Sequence, residues 1–283
     1  LTGYGNVRFG GLVGCNTDLI EGKLNTATET DATFVTSASA TGVLSDIEIT
    51  TSFNAENSAV GGVVGYNSGT VKSMEVGAKI TATGAYNIGG VIGVNNSSLT
   101  EIAVENDFSN SALVKVSNIV SYSIITGNAT NVGGVVGCDT YGTYAKIKYQ
   151  VFVGTKTAIE GNANVGGIVG KSTAGKFIFC SVMSYKWKYE EIVVNTAGKQ
   201  DIYTSEADIK GTDYVGGLVG LLCGYRWADI DNISQVSGQS YIYNCSVNGY
   251  ISSNNEVGGL FCSEQNTQGS LIQNAYFNGK LAG

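Results

Sequence analysis

One short phrase recurs seven times along the chain. "RFGGLVG" spans 8–14, "AVGGVVG" 59–65, "NIGGVIG" 87–93, "NVGGVVG" 131–137, "NVGGIVG" 164–170 and "YVGGLVG" 214–220, with a frayed "EVGGLFC" at 256–262. The phrase has the β-branched residues of a strand, yet glycine weakens strands. Its seven copies hold 20 glycines, because Cys262 replaces the last one. At roughly 0.5–1 kcal/mol each relative to alanine, that is roughly 10–20 kcal/mol, comparable with a whole domain's net stability. A chain that repeats such a cost must offset it in every copy. Glycine inside strands marks a bulge, a tight corner or a close backbone approach. A stacked solenoid meets the same corner in every coil.

The first glycines of the pairs are Gly10, Gly61, Gly89, Gly133, Gly166, Gly216 and Gly258, each followed by its partner: Gly11, Gly62, Gly90, Gly134, Gly167, Gly217 and Gly259. Their spacings are 51, 28, 44, 33, 50 and 42. A shortest unit near 28 with variable additions fits a solenoid with loops of differing length. Between motifs run alternating stretches rich in Val, Ile, Thr and Tyr, such as "TVKSMEVGAKITATGAYNIGG" at 70–90 and "SYIYNCSVNGYISSNNEVGG" at 240–259. Period-two alternation reads as half-buried strand. No segment has a convincing helical period; 190–210 and 24–42 read as insertions. Proline is absent, which suits strands paired on both sides. The expectation is an all-β chain: a β-solenoid of about seven glycine-pair coils, one continuous domain over 1–283. Each pair makes a structural turn that lets Val60, Val63 and Val64 stay buried.

Composition narrows function. The net charge of −7 and pI near 4.7 oppose nucleic acid and anionic membranes. No apolar run approaches the roughly 18 residues that span a bilayer. Histidine is absent, which removes Ser-His-Asp and Cys-His catalysis and the usual Cys/His zinc sites. The chain is expected to be no enzyme and to use no cofactor. It begins at Leu1 and stops mid-repeat; joining Gly283 to Leu1 would complete one module. The reading is either an excerpt of a longer repeat chain or a subunit that stacks head to tail.

The pattern V-G-G-Φ-V-G, a polar turn, a strand near N-C-x-x-x-G and V-G-G again resembles the GLUG motif family. Its clearest copy runs from Asn244-Cys245-Ser246-Val247-Asn248-Gly249 to Val257-Gly258-Gly259-Leu260, with variants at 179–182 and 273–279. The resemblance covers most of the chain. It implies an extracellular, non-catalytic stalk or adhesive region of a surface protein. It implies no peptidase here, since HExxH is missing.

Several residues stand as candidates beside structural alternatives. Cys180 and Cys245 share a motif position in consecutive modules, so coils about 4.8 Å apart place them face to face, as a disulfide or as stacked free thiols. Asn95, Asn96, Asn128, Asn232 and Asn244 open glycosylation sequons; Asn95 and Asn96 read as turn residues, while Asn244 falls in an expected strand. Trp187, Tyr189, Tyr225 and Trp227 form aromatic clusters suited to a sugar or a partner, or to packing of insertions. Glu190, Glu191, Asp229 and Asp231 offer unspecific acid pairs, and Asp229, Asp231 and Asn232 a weak calcium pattern. The leading expectation is a structural or adhesive element. The second is a carbohydrate-binding or carbohydrate-degrading solenoid.

Overall fold

A computed structural model describes residues 7–21, 43–44, 47–52, 55–96, 116–152, 155–186, 206–223, 240–265 and 270–283. Every complete element there is a strand, and all strand pairs are parallel. The architecture is all-β and β-solenoid-like: the chain passes through three sheets and returns to the first one layer further on.

The first sheet contains β1 (Arg8–Gly10), β6 (Ala59–Gly61), β10 (Tyr86–Gly89), β14 (Thr130–Gly133), β18 (Ala163–Gly166), β23 (Asp213–Gly216) and β27 (Val257–Gly258), in that spatial order. The second contains β2 (Val13–Asn16), β7 (Val64–Asn67), β11 (Ile92–Asn96), β15 (Val136–Thr140), β19 (Val169–Thr173), β24 (Val219–Cys223) and β28 (Phe261–Gln265), again in order. The third sheet closes each pass. It takes β3 (Leu19–Glu21), β4 (Val43–Leu44) and β5 (Glu48–Thr51), then β8 (Thr70–Val76) and β9 (Lys79–Ala82), then β12 (Val116–Ser121) and β13 (Ile124–Gly127). It continues with β16 (Thr143–Val151), β17 (Ile159–Glu160), β20 (Lys176–Ile178), β21 (Ser181–Ser184) and β22 (Ile209–Gly211), and ends with β25 (Tyr241–Tyr243), β26 (Ser246–Ser253), β29 (Leu271–Gln273) and β30 (Tyr276–Ala282).

The glycine motif spans the first two sheets. Strand β6 ends at Gly61, the chain bends at Gly62 and Val63, and β7 starts at Val64. Val60, Val63 and Val64 are fully buried, as expected. The glycines are needed for space rather than for unusual dihedrals: none in the motif has positive φ. A Cβ on Gly133 would overlap the Val136 carbonyl of its own bend, and one on Gly134 would overlap the Gly167 carbonyl of the next pass and sit 2.5 Å from Tyr149. A Cβ on Gly137 would lie 2.5 Å from the Asn87 carbonyl carbon and the Ile88 nitrogen. First and second sheets therefore touch backbone to backbone. The bends also bond to one another, Gly62 N–H donating to the Gly89 carbonyl (3.1 Å) and Gly90 N–H to that of Gly133 (3.1 Å).

Like residues stack in register through the core. Ile49, Ile80, Ile125, Ile159, Ile209 and Ile251 form one isoleucine ladder that ends on Leu281. Each isoleucine of it is buried. β-Branched side chains suit such ladders, because one χ1 rotamer repeats along the axis.

The alternating stretches between motifs are not single strands. In 70–90 the chain turns at Gly77–Ala78 between β8 and β9. A second kink falls at Ser73, Asn118, Lys146, Phe179, Asn244 and Asn274, all left-handed with φ between 50° and 57°. Asparagine at three of these six positions follows from its tolerance of that region.

Candidate functional site

Three features merit attention as sites: a buried polar ladder, a groove along the outside, and the last layer of the stack.

The polar ladder begins two residues after each motif's final small residue. Asn16, Asn67, Asn95, Asp139 and Ser172 stack on consecutive strands of the second sheet, all buried. Asn16 Nδ2 donates to Asn67 Oδ1 (2.8 Å), Asn67 Nδ2 to Asn95 Oδ1 (2.8 Å) and Asn95 Nδ2 to Asp139 Oδ1 (3.1 Å). Ser172 Oγ donates to Asp139 Oδ2 at 2.9 Å, and the Gly142 N–H does so at 3.2 Å. Burial raises the Asp139 carboxyl to about 6, against the lowering pull of its Tyr144, Asn95, Ser172 and Gly142 donors. Burial likewise holds the Tyr144 hydroxyl well above its ordinary range. The signal was present in the sequence as "VGCN", "VGYN", "IGVN", "VGCD" and "VGKS".

This ladder corrects one expectation. Asn95 is 1% exposed and its amide is committed to Asn67, Asp139 and Tyr144, so the fold leaves no room for a glycan there. Both Asn95 and Asn96 belong to strand β11 rather than a turn. Asn96 is exposed, donating to the Tyr66 hydroxyl (2.8 Å), and Asn128 is exposed with its Oδ1 accepting from Gly84 N–H (2.6 Å). Asn244 lies in the kink between β25 and β26, not in a strand.

Cys180 and Cys245 do stack. Their flanking residues pair in register, Ile178 with Tyr243 and Ser181 with Ser246. Both are buried free thiols, and no disulfide joins them. The Cys180 thiol donates to the Tyr144 carbonyl and that of Cys245 to the Phe177 carbonyl (3.6 and 3.5 Å). Burial pushes the Cys180 thiol well above its ordinary range.

The groove, about 620 Å³, runs across several passes of the chain. One wall is a second asparagine ladder: Asn131 Nδ2 donates to Asn87 Oδ1 (2.8 Å) and Asn164 Nδ2 to Asn131 Oδ1 (2.7 Å). These three asparagines precede the glycine pair by two positions and are all left-handed, with φ of 54–58°. Tyr214 takes the next position, and Asn164 Oδ1 is left buried without a donor. The other wall is the row Tyr66, Val94, Cys138 and Lys171, aligned on β7, β11, β15 and β19. The Arg8 guanidinium closes one end, 4.1 Å from the centre of the Tyr66 ring.

Trp187, Tyr189, Tyr225, Trp227 and Asn232 lie outside the described residues, as do Glu190, Glu191, Asp229 and Asp231. Just before the first aromatic cluster, Tyr185 stacks on Phe152 (5.8 Å), which meets the edge of Tyr122 (5.6 Å). A buried ion pair, Lys186 Nζ to Asp208 Oδ1 at 3.3 Å, stands at the two ends of the segment between them. Among the described residues no three His, Cys, Asp or Glu side chains converge as metal ligands, and no helix is long and apolar enough to cross a membrane.

The last layer differs from those before it. Ile272 pairs with Ile242 and Leu281 with Ile251. Ile242 and Ile251 are 0% and 1% exposed; Ile272 and Leu281 are 41% and 42% exposed.

The chain matches no family model, no curated protein and no solved structure. The likeness to the GLUG motif rests on the residues quoted above.

Proposed function

We propose that this chain is an extracellular structural or adhesive repeat element, a non-catalytic solenoid of seven glycine-pair coils whose end layers stack on further coils of the same kind. The observation that carries this reading is two open core rows: Leu281 ends the isoleucine ladder and Ile272 ends the row of Phe177 and Ile242, and both are covered on one side only. Already more than half buried, these side chains gain on the order of 1 kcal/mol each from complete burial, which favours another coil against them. Unpaired strand edges add a template for that contact.

Register extends the argument. Continuing the register past Leu281 would bring Glu48 of a second copy against Lys280; Ile49 beside Glu48 is already 5% exposed, so the apolar gain of a new layer lies at Leu281 and Ile272. The same position already forms a cross-layer pair, Lys79 Nζ to Glu48 Oε1 at 2.9 Å. A contact of this head-to-tail kind generates a filament. The extracellular setting is supported by the GLUG resemblance alone, and a segment of a long surface stalk would use the same contact within one polypeptide.

Negative-stain electron microscopy over a concentration series tests the reading, with an Ile272→Asp/Leu281→Glu variant alongside. Filaments from the unaltered chain, lost in the variant while its circular dichroism is unchanged, are the expected result. Discrete short rods at every concentration would remove the self-stacking reading.

A further inference from the structure

Of the residues that line the outer groove, Arg8 alone lies on a terminal strand, β1. The groove's central strands are interior: β10 pairs with β6 and β14, and β11 with β7 and β15. The strands at its centre have no free edge, so an extended peptide has no ladder to join there; β1, which carries Arg8, is the outer strand of its sheet. What the groove offers instead is side chains in rows. Neighbouring strands lie about 4.8 Å apart, so Tyr66 to Lys171 covers roughly 14 Å along the axis. Each step is close to the length of one sugar residue in an extended chain.

The chemistry of the walls is consistent. The Asn87–Asn131–Asn164 ladder uses one N–H of each donor amide internally, so the second N–H of Asn131 and of Asn164 is available for hydroxyl oxygens. Tyr66 and Tyr86 supply rings and hydroxyls. The two cations of the lining, Arg8 and Lys171, come from opposite ends of these rows. Among the described residues neither is paired with a carboxylate, whereas Lys72, Lys79, Lys186 and Lys210 are. Two cations with no carboxylate partner among the described residues, set in one concave site of a chain with net charge −7, make a local positive field. Glu56 is the one acidic residue of the described lining, its carbonyl accepting from Asn87 Nδ2 at 2.8 Å.

We propose that this groove binds an acidic oligosaccharide of about three or four residues, its carboxylates or sulfates on Arg8 and Lys171 and its hydroxyls on the asparagine ladder. A volume of about 620 Å³ is within the range of small-ligand sites.

Isothermal titration calorimetry of the whole chain tests it, with a galacturonate tetrasaccharide, a heparin-derived tetrasaccharide, neutral cellotetraose and a poly-glutamate peptide as probes. At least one acidic tetrasaccharide is expected to bind, at least about tenfold tighter than cellotetraose, and to weaken as salt rises. The two acidic sugars distinguish carboxylate from sulfate recognition. Arg8→Gln and Lys171→Gln are each expected to lower that affinity about tenfold, with the thermal midpoint unchanged. Val94→Trp, which fills the centre of the row, is expected to abolish binding. Any of three results overturns the proposal: no binding of either acidic sugar at low salt, equal binding of cellotetraose, or affinity undiminished in the double glutamine variant. Tighter binding of poly-glutamate would also overturn it, and would assign the groove to an acidic peptide.

Discussion

The two asparagine ladders run side by side, yet the chain uses asparagine in them for different reasons. In the inner ladder (Asn16, Asn67, Asn95) the backbone is ordinary strand, and what matters is the carboxamide, which is both donor and acceptor and can satisfy itself against copies above and below. In the outer ladder (Asn87, Asn131, Asn164) the backbone is left-handed at each position, and asparagine is among the few residues that accept this. Its amide bonds are then a second gain. The inner ladder passes through Asp139 and Ser172 and is lost at Leu222; the outer one stops at Tyr214, which keeps the left-handed backbone. Side-chain chemistry is therefore what the inner position selects, and backbone conformation what the outer one selects.

This contrast can be broken in four ways, taken from the largest effect down. Gly137 stands where the two ladder-bearing sheets touch. Gly137→Ala drives a methyl into the Asn87–Ile88 backbone and is expected to cost more than about 4 kcal/mol, read as loss of soluble folded protein or of a cooperative urea transition. Asn67→Leu removes the acceptor for Asn16 and leaves Asn95 Oδ1 and the Gly69 carbonyl without the amide donor, with an expected loss of about 2–4 kcal/mol in urea denaturation.

Asp139→Asn changes sign. The folded-state carboxyl near 6 lies above its ordinary 3.8, so the native state holds this proton more tightly than the unfolded chain does. Its contribution to stability is fully present below about pH 4 and is lost as pH rises through 6. At pH 7 the ionised group costs about 3 kcal/mol by that difference. The asparagine variant continues the amide ladder; it forfeits the Oδ2 acceptor of Gly142 N–H and of Ser172 Oγ, and the serine hydroxyl can turn to accept instead, so the variant is expected to gain about 1 kcal/mol at pH 7. Its stability is expected to lose the decline between pH 4 and 6.5; an unchanged pH profile would show that Asp139 does not titrate there.

The smallest effect separates the two explanations for the outer ladder. Asn131→Gly keeps the left-handed backbone and is expected to cost under about 1 kcal/mol, whereas Asn131→Ala adds roughly 1–2 kcal/mol of strain. Equal thermal midpoints for the two variants would show that the amide, not the backbone, governs this position.

Much of this protein was legible in its sequence. The glycine phrase, the alternation and the lack of proline determined an all-β chain of parallel, stacked strands, because in-register stacking repeats one local environment and so writes one local pattern. The inner ladder was legible too, two residues after each motif, and so was the pairing of Cys180 with Cys245. What only the tertiary structure decided is which face each residue meets. Asn95 and Asn96 are neighbours with the same sequon chemistry, yet one is sealed in the core ladder and the other is exposed, because alternation along β11 sends them to opposite sides and only the third sheet makes one side an interior. The groove is likewise invisible in sequence: its walls join residues as distant as Arg8 and Lys171. Pairing across intervals of 28 to 51 residues brings them together, and no local pattern encodes a surface shared by separate layers.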